Sequence, residues 1–185
     1  AGYTRLCAVL PRVFRTEDEA AFRKALQSHP RLSAVAVSNL GHLPIAAGLG
    51  LEIRGDMGLN VFNSLSLLFL GELGVTAATV SPELRHQQVR DLSKYLPCEA
   101  VVYGRLPLMI TENCIIKNRA GRCACDNVNI LTDRRGARFP VVQAPGCRNE
   151  ILNGNKLFLA DKEKDYRSIG LWAIRLLFTT ENPFE

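Results

Sequence analysis

The first hundred residues alternate between short apolar, β-prone runs and longer stretches whose apolar positions recur at helical spacing. The runs are Arg5–Leu10 (RLCAVL), Ser33–Ser38 (SAVAVS), Leu51–Gly55 (LEIRG), Thr76–Val80 (TAATV) and Glu99–Tyr103 (EAVVY). Between them the pattern predicts helices, each with its own start signal. Thr16 precedes EDEAAFRKALQ with Glu19 three residues on, the form of a capping box. Asn63 precedes a stripe of Leu65, Leu68, Phe69 and Leu73. Ser81 precedes Pro82 at a first helical position and Glu83 in a first turn, followed by a stripe of Leu84, Val89, Leu92 and Leu96. Strands that alternate with helices in this way build βαβ units and a parallel sheet, whose strands are apolar because both faces are covered. No Gly-x-Gly-x-x-Gly follows any of the runs, which argues against the commonest nucleotide-binding open sheet.

After Tyr103 the pattern changes. Residues 104–150 are rich in Gly, Pro, Asn, Arg and Cys, with short strand-like pieces only at Asn129–Leu131 and Phe139–Val142. Asp133-Arg134-Arg135-Gly136 between them reads as a hairpin turn. The alternating pattern then resumes with Lys156–Ala160 (KLFLA), a short helix over Asp161–Ile169, and a last strand at Trp172–Phe178. The expected architecture is one α/β domain over residues 1–185, a partial or trimmed β/α TIM-like barrel. A cysteine-rich loop at about 104–150 is inserted at a strand end, where such folds carry their functional loops.

Composition adds little to this until the charges and cysteines are considered. Apolar residues make up 47% and charged residues 22%, which excludes wholesale disorder and a collagen-like fibre. No run approaches the roughly 18 apolar residues of a membrane span; the longest, Leu65–Leu73, is broken by Ser66, Gly71 and Glu72. No export signal precedes the first strand, so the expected compartment is the cytoplasm. The net charge of +5 permits an anionic partner such as RNA without requiring one.

Cys7 and Cys98 stand alone in apolar stretches and read as small buried hydrophobes. Cys114, Cys123, Cys125 and Cys147 are different, because they cluster as Cys-x8-Cys-x-Cys-x21-Cys. Four clustered thiols in a chain without an export signal point to a metal site rather than two disulfides. Four thiolates complete either a tetrahedral zinc site or an iron–sulfur cluster. The spacing matches neither the Cys-x2-Cys knuckle of zinc ribbons nor the ferredoxin run, so Zn(2+) and a [4Fe-4S] cluster both remain open. Lys117, Arg119, Arg122 and Arg148 lie close by in sequence and would offset the thiolate charge. The plainer alternative is a metal that only staples the loop.

Polar residues collect at successive strand ends: Arg12, Asn39, Asp56 with Asn60 and Asn63, Ser81 with Glu83, and Tyr103 with Arg105. On a parallel barrel these converge on one face, and Glu83, Asp56 and Arg105 are the candidates for catalysis. Each also has a bland role, since Asp56, Asn63 and Ser81 suit helix caps. The three histidines, His29, His42 and His86, belong to no His-Glu-x-x-His motif, and no Gly-x-Ser-x-Gly occurs.

Taken together, GDMGLNVFNS (55–64), TVSPELRHQQV (79–89), VVYGRLPLM (101–109), the four cysteines, LTDRRGARFPV (131–141), CRNEILN (147–153) and RLLFTTENP (175–183) resemble the collagenase-like peptidase family U32. The match is more specifically to the C-terminal part of its longer bacterial members. The resemblance implies a β/α barrel core, of which this chain would be the later portion or a trimmed form, joined to the remainder of a longer parent chain. It implies two kinds of activity. Some members are collagenase-like peptidases acting on peptide substrates, with no assigned catalytic type. Others take part in hydroxylating RNA bases or the ubiquinone ring without molecular oxygen, and some hold a [4Fe-4S] cluster on four cysteines. Cys114, Cys123, Cys125 and Cys147 are the matching positions, although the close Cys-x-Cys pair departs from the usual spacing and leaves zinc in play. Ser81-Pro82-Glu83-Leu84 carries no catalytic assignment in the family. The reading is therefore an enzyme or enzyme subunit with a four-cysteine metal site, the alternative being a non-catalytic, metal-stapled binding module.

Overall fold

The computed structural model describes residues 5–122 and 129–182. The chain divides into two compact units. The described residues up to Ala100 with Lys162–Ile174 form the first, and Val101–Asp161 with the segment from Arg175 form the second.

The first unit holds β1 (Leu6–Val9), α1 (Glu19–Ser28), β2 (Leu32–Val37), α2 (Leu43–Ala46), β3 (Glu52–Gly55), α3 (Ser64–Glu72), β4 (Ala77–Thr79) and α4 (His86–Leu92), followed by the start of β5 (Cys98–Gly104). Its strands run parallel in the order β1-β2-β3-β4-β5. Val9 lies opposite Ala36, Val37 opposite Gly55, and Ala78 opposite Cys98. The predicted parallel α/β arrangement is present as a curled half-barrel. A closed TIM-like barrel is not formed among the described residues, because the strand order ends at β1 instead of returning to it.

Central β2 shows why the strands read as unbroken apolar runs: Ala34, Val35, Ala36 and Val37 are all fully buried. Val35 and Val37 pack with Leu26 of α1 and Ile45 of α2, while a second cluster joins Leu67, Leu70, Val80, Val89 and Cys98. Edge strand β1 alternates instead, and Cys7 is exposed, contrary to expectation. Its neighbour Ala8 takes the packed side against α1 and α2, which turns Cys7 to the other face.

Three helix starts refine the sequence reading. The N-terminal box of α1 lies one residue early: the Asp18 carboxylate accepts from Arg15 N–H at 3.1 Å, and a 3-10 turn over Thr16–Asp18 leads into the helix. Asn63 caps α3 as expected, accepting from Ser66 N–H at 2.9 Å. Pro82 does not open α4; Leu84 N–H closes a turn onto Ser81 O, and the helix begins at His86 behind Arg85, whose N–H donates to Gln88.

The phase of α3 is a larger correction. Val61 bridges to Val80 and Asn63 caps the helix, which turns Leu67 and Leu70 into the core. The stripe read as the packing face, Leu65, Leu68, Phe69 and Leu73, points to solvent.

The second unit contains the rest of β5, then β6 (Pro107–Thr111), α5 (Ile115–Ala120), β7 (Asn129–Thr132), β8 (Arg138–Ala144), β9 (Arg148–Leu152) and β10 (Leu157–Phe158). A short α6 (Glu163–Arg167) belongs to the first unit, and β11 (Ala173–Leu177) crosses the boundary between units in sequence. The segment read as an irregular loop is a four-stranded antiparallel sheet in the order β6-β9-β8-β7, with its own small core of Cys114, Ile116 and Val141. Strand β9 was illegible because it opens on Arg148 and Asn149, polar residues that bury by finding partners and leave no apolar alternation. The hairpin at Asp133–Gly136 is as predicted. Gly136 has φ +83°, and the Asp133 carboxylate accepts from Arg135 and Ala137 N–H. Beyond it, Tyr103 of β5 pairs with Phe158 of β10. At Gly104, with φ +122°, the Leu177 backbone comes so close that any Cβ would overlap it.

Candidate functional site

Parallel register puts the C-terminal ends of β1 to β4 on one edge of the first unit, and polar side chains gather there. Ser38 and Asp56, 6% and 4% exposed, share a hydrogen bond in which the Ser38 hydroxyl donates to the carboxylate at 2.7 Å. Asp56 therefore faces β2 rather than capping the turn that follows it. Gly58 closes the group: a Cβ there would lie 2.7 Å from Ser38 O and 3.1 Å from Arg12 Cδ. Ser81, also buried, accepts a long bond from Glu83 N–H at 3.5 Å, while the Glu83 side chain stays exposed. Asn39 is spent on its own turn, accepting from Gly41 N–H. Asn60 takes a left-handed φ of 48°. The structure thus brings together Arg12, Ser38, Asp56 and Gly58. Ser38 was missed because a serine closing an apolar strand carries no spacing signal.

His42, just past β2, is fully buried, edge-on to Phe14 at 5.1 Å, and neither ring nitrogen has a hydrogen-bond partner. Burial lowers its pKa, which keeps the imidazole neutral. Sealed in this way, it makes no contact with solvent.

The face of the sheet away from the helices is polar as well. Glu52 accepts from Arg54 at 2.9 Å and Arg5 at 3.0 Å, and Arg54 lies 4.7 Å from the centre of the Trp172 ring. The hydrogen bond from Arg54, helped by its charge, lowers the Glu52 pKa. Across the same face Thr79 donates to Glu99 at 2.8 Å.

In the second unit, Arg105 and Tyr103 serve different purposes. Arg105 clamps the Asn153 and Gly154 carbonyls with Nη1, while its Nε is buried without a partner. Tyr103 packs against Phe158 and Phe178, and its hydroxyl meets Lys156 and Glu181. Burial opposes ionisation of Glu181, but the N–H groups of Thr179, Glu181 itself and Thr180, with Lys156 at 3.2 Å, outweigh it and hold the carboxyl at about 2.

The cysteines fall at one end of the β6–β9 pair. Thr111 lies opposite Asn149, so Cys114, three residues beyond Thr111, and Cys147, two before Asn149, leave the sheet at the same end. Cys114 is buried at the start of α5, its sulfur accepting from Lys117 N–H at 3.3 Å. Cys147 is exposed and has φ +58°, a backbone state a non-glycine residue adopts only where a turn demands it. Asn149, fully buried, joins the two segments by accepting from Ile115 N–H at 2.8 Å. Buried Arg148 donates to Glu112 at 3.0 Å and to Pro145 O. Neither described cysteine of the cluster is in a disulfide. Cys123 and Cys125 lie outside the described residues, and among the described ones no three His, Cys, Asp or Glu side chains form a ligand set. The two described cysteines of the cluster thus leave the sheet at one end, Cys114 buried and Cys147 exposed on a left-handed turn.

The fold and these residues define a mixed α/β protein on a parallel half-barrel. The model of peptidase family U32 matches residues 4–127, more than half of the chain, and the chain belongs to that family. No curated protein matches it. Among solved structures, the Bacillus megaterium QM B1551 spore cortex-lytic enzyme SleL aligns at 12% identity with a TM-score of 0.28. That alignment covers 93% of this chain and 44% of SleL, so the chain spans under half of that protein's length, and a likeness of this degree carries no argument. No described helix is long and apolar enough to cross a membrane.

Proposed function

We propose that the chain is part of a U32-family enzyme whose chemistry rests on a metal centre held by Cys114, Cys123, Cys125 and Cys147, modifying RNA or another aromatic substrate in preference to cleaving peptides. The observation that carries this reading is the β6–β9 register, which delivers Cys114 and Cys147 to one end of a sheet with Cys147 held in a left-handed turn. A [4Fe-4S] cluster on these thiolates would supply single-electron transfer, and zinc would supply a rigid tetrahedral staple. The surrounding residues have definable tasks. Asn149 fixes the start of α5 through Ile115 N–H, so Cys114 keeps its place. Arg148 bonds to Glu112 and to Pro145 O, which ties down the turn that carries Cys147. In the first unit, Arg12 and the buried Ser38–Asp56 pair form a polar strand-end rim of their own.

Metal analysis of protein purified without oxygen tests this. A brown protein with broad absorbance near 400 nm and roughly four irons per chain supports the redox reading. A colourless protein with about one tightly held zinc sinks it and leaves the metal-stapled binding module. Cys114→Ser should release the metal in either case; full retention would remove Cys114 from the ligand set.

A further inference from the structure

Helix α3 carries two apolar faces, and the first unit uses only one. Leu67 and Leu70 are buried, while Leu65 is 77%, Phe69 53% and Leu73 42% exposed, flanked by Leu68 and by Phe62 just before the helix. At 100° per residue, the positions from Leu68 through Leu65 and Phe69 to Leu73 span about 140° of the outward side. Glu72 is the one charge on that arc. An outward arc this apolar on so short a helix marks an interaction surface rather than scattered surface leucines.

We infer that α3 pairs with α3 of a second copy of this chain, antiparallel, about a two-fold axis at Phe69. Three features point to a second copy. The ridge Leu65-Phe69-Leu73 has four-residue steps symmetric about Phe69, so a two-fold axis there sets Leu65 against Leu73 of the other copy and Phe69 against its own equivalent. Such i, i+4 ridges interdigitate with one another in the commonest helix-packing class, and a two-fold contact requires this kind of self-complementary patch. Charge chooses the direction. An antiparallel pair puts each Glu72 beside the N-terminus of the other α3, where a carboxylate is favoured, whereas a parallel pair would set the two carboxylates together. The area is sufficient but small. The five side chains leave roughly 500 Å² per copy, which brings a two-fold contact to about 1,000 Å² in total, the lower end for a specific interface. The pairing is therefore a weak, concentration-dependent dimer.

Sedimentation equilibrium between about 1 and 200 µM should show a monomer–dimer equilibrium within that range. Phe69→Glu should weaken dimerisation at least ~10-fold, because both copies lose the central contact. Glu72→Lys should weaken it less, by a few-fold. Both positions are exposed, so an unchanged near-ultraviolet dichroism spectrum is expected and separates lost pairing from lost fold. Phe69→Cys should give, on mild oxidation, a dimer linked between the two introduced thiols, identified by mass spectrometry apart from any link through exposed Cys7 or Cys147, whereas Leu40→Cys, at comparable exposure, should give no link between its introduced thiols. A chain that stays monomeric across the range overturns the inference, as does a dimer indifferent to Phe69→Glu. Either result would hand the face to another partner, such as further chain of a longer parent.

Discussion

The two units hold their polar residues in place by opposite means. In the first, the central strands β2 and β4 are buried on both faces, and side chains such as Ser38 and Asp56 become positioned simply by being next in line when a packed strand ends. In the second, antiparallel strands are thin and half covered, and position comes from turns: the left-handed Cys147, the Asp133–Gly136 hairpin and the Asn149 bridge to α5. A strand-end residue inherits its place from the core beneath it. A turn residue depends on a few local hydrogen bonds, or on something that binds there. Damage to the core of the first unit should therefore cost more stability than damage to the small core of the second.

Core truncation is the largest test of that contrast. Leu67→Ala empties a fully buried site in the first unit and should cost about 3 kcal/mol, whereas Val141→Ala in the small core of the second should cost about 2 kcal/mol or less. Denaturant unfolding followed in both variants measures the two losses. Equal losses would erase the distinction. Next comes Gly58→Ala, which pushes a methyl against Ser38 and Arg12 and should destabilise the first unit by about 1–3 kcal/mol. A variant as stable as the parent would show that the rim is looser than its geometry implies.

How much of this was legible in sequence follows the same division. Strands β2 and β4 were readable because burial on both faces writes a near-unbroken apolar run, the other parallel strands because their packed face alone still leaves a β-prone pattern, and the Asn63 cap because its side-chain chemistry is local. The phase of α3 was not, since a helix apolar on all sides offers two equivalent stripes, and only the Val61–Val80 bridge decides between them. Strand β9 was hidden for a different reason. Arg148 and Asn149 are buried through specific partners, Glu112 and Ile115 N–H, and such pairing leaves no periodic trace. Of the candidate site, clustering of the cysteines was visible in sequence. The Ser38–Asp56 bond and the Lys156–Glu181–Tyr103 group were not, because they depend on residues 18 to 78 apart in the chain.

Acid probes the second unit in particular. Glu181 ionises at about 2 in the folded chain against an ordinary 4.5, so its contribution is complete above about pH 4.5 and is lost as pH falls towards 2. Glu181→Gln should therefore be less stable than the parent at neutral pH, and the gap should close through that window. Hydrogen exchange at the amides of Thr179 and Thr180 between pH 6 and pH 3, corrected for intrinsic rates, reads it out. A gap that persists unchanged at the acid end would mean that some other group sets the stability.

Thiol chemistry offers the smallest perturbation and the most direct comparison of the units. Burial pushes Cys98 up to about 11, so this thiol stays protonated and shielded at pH 8, while Cys7 on the same sheet is exposed. Brief alkylation read by mass spectrometry should label Cys7 and spare Cys98 until the first unit unfolds. In the second unit, exposure alone predicts that Cys147 reacts like Cys7 and buried Cys114 like Cys98. A bound metal reverses the first half of that expectation, because a coordinated thiolate is withheld from the reagent however open its surroundings. Protein purified without oxygen should then protect Cys147 alongside Cys114, and a strong chelator should release Cys147 to react first. Rapid labelling of Cys147 before any chelator is added would mean that the turn places a cysteine at the surface without binding anything there.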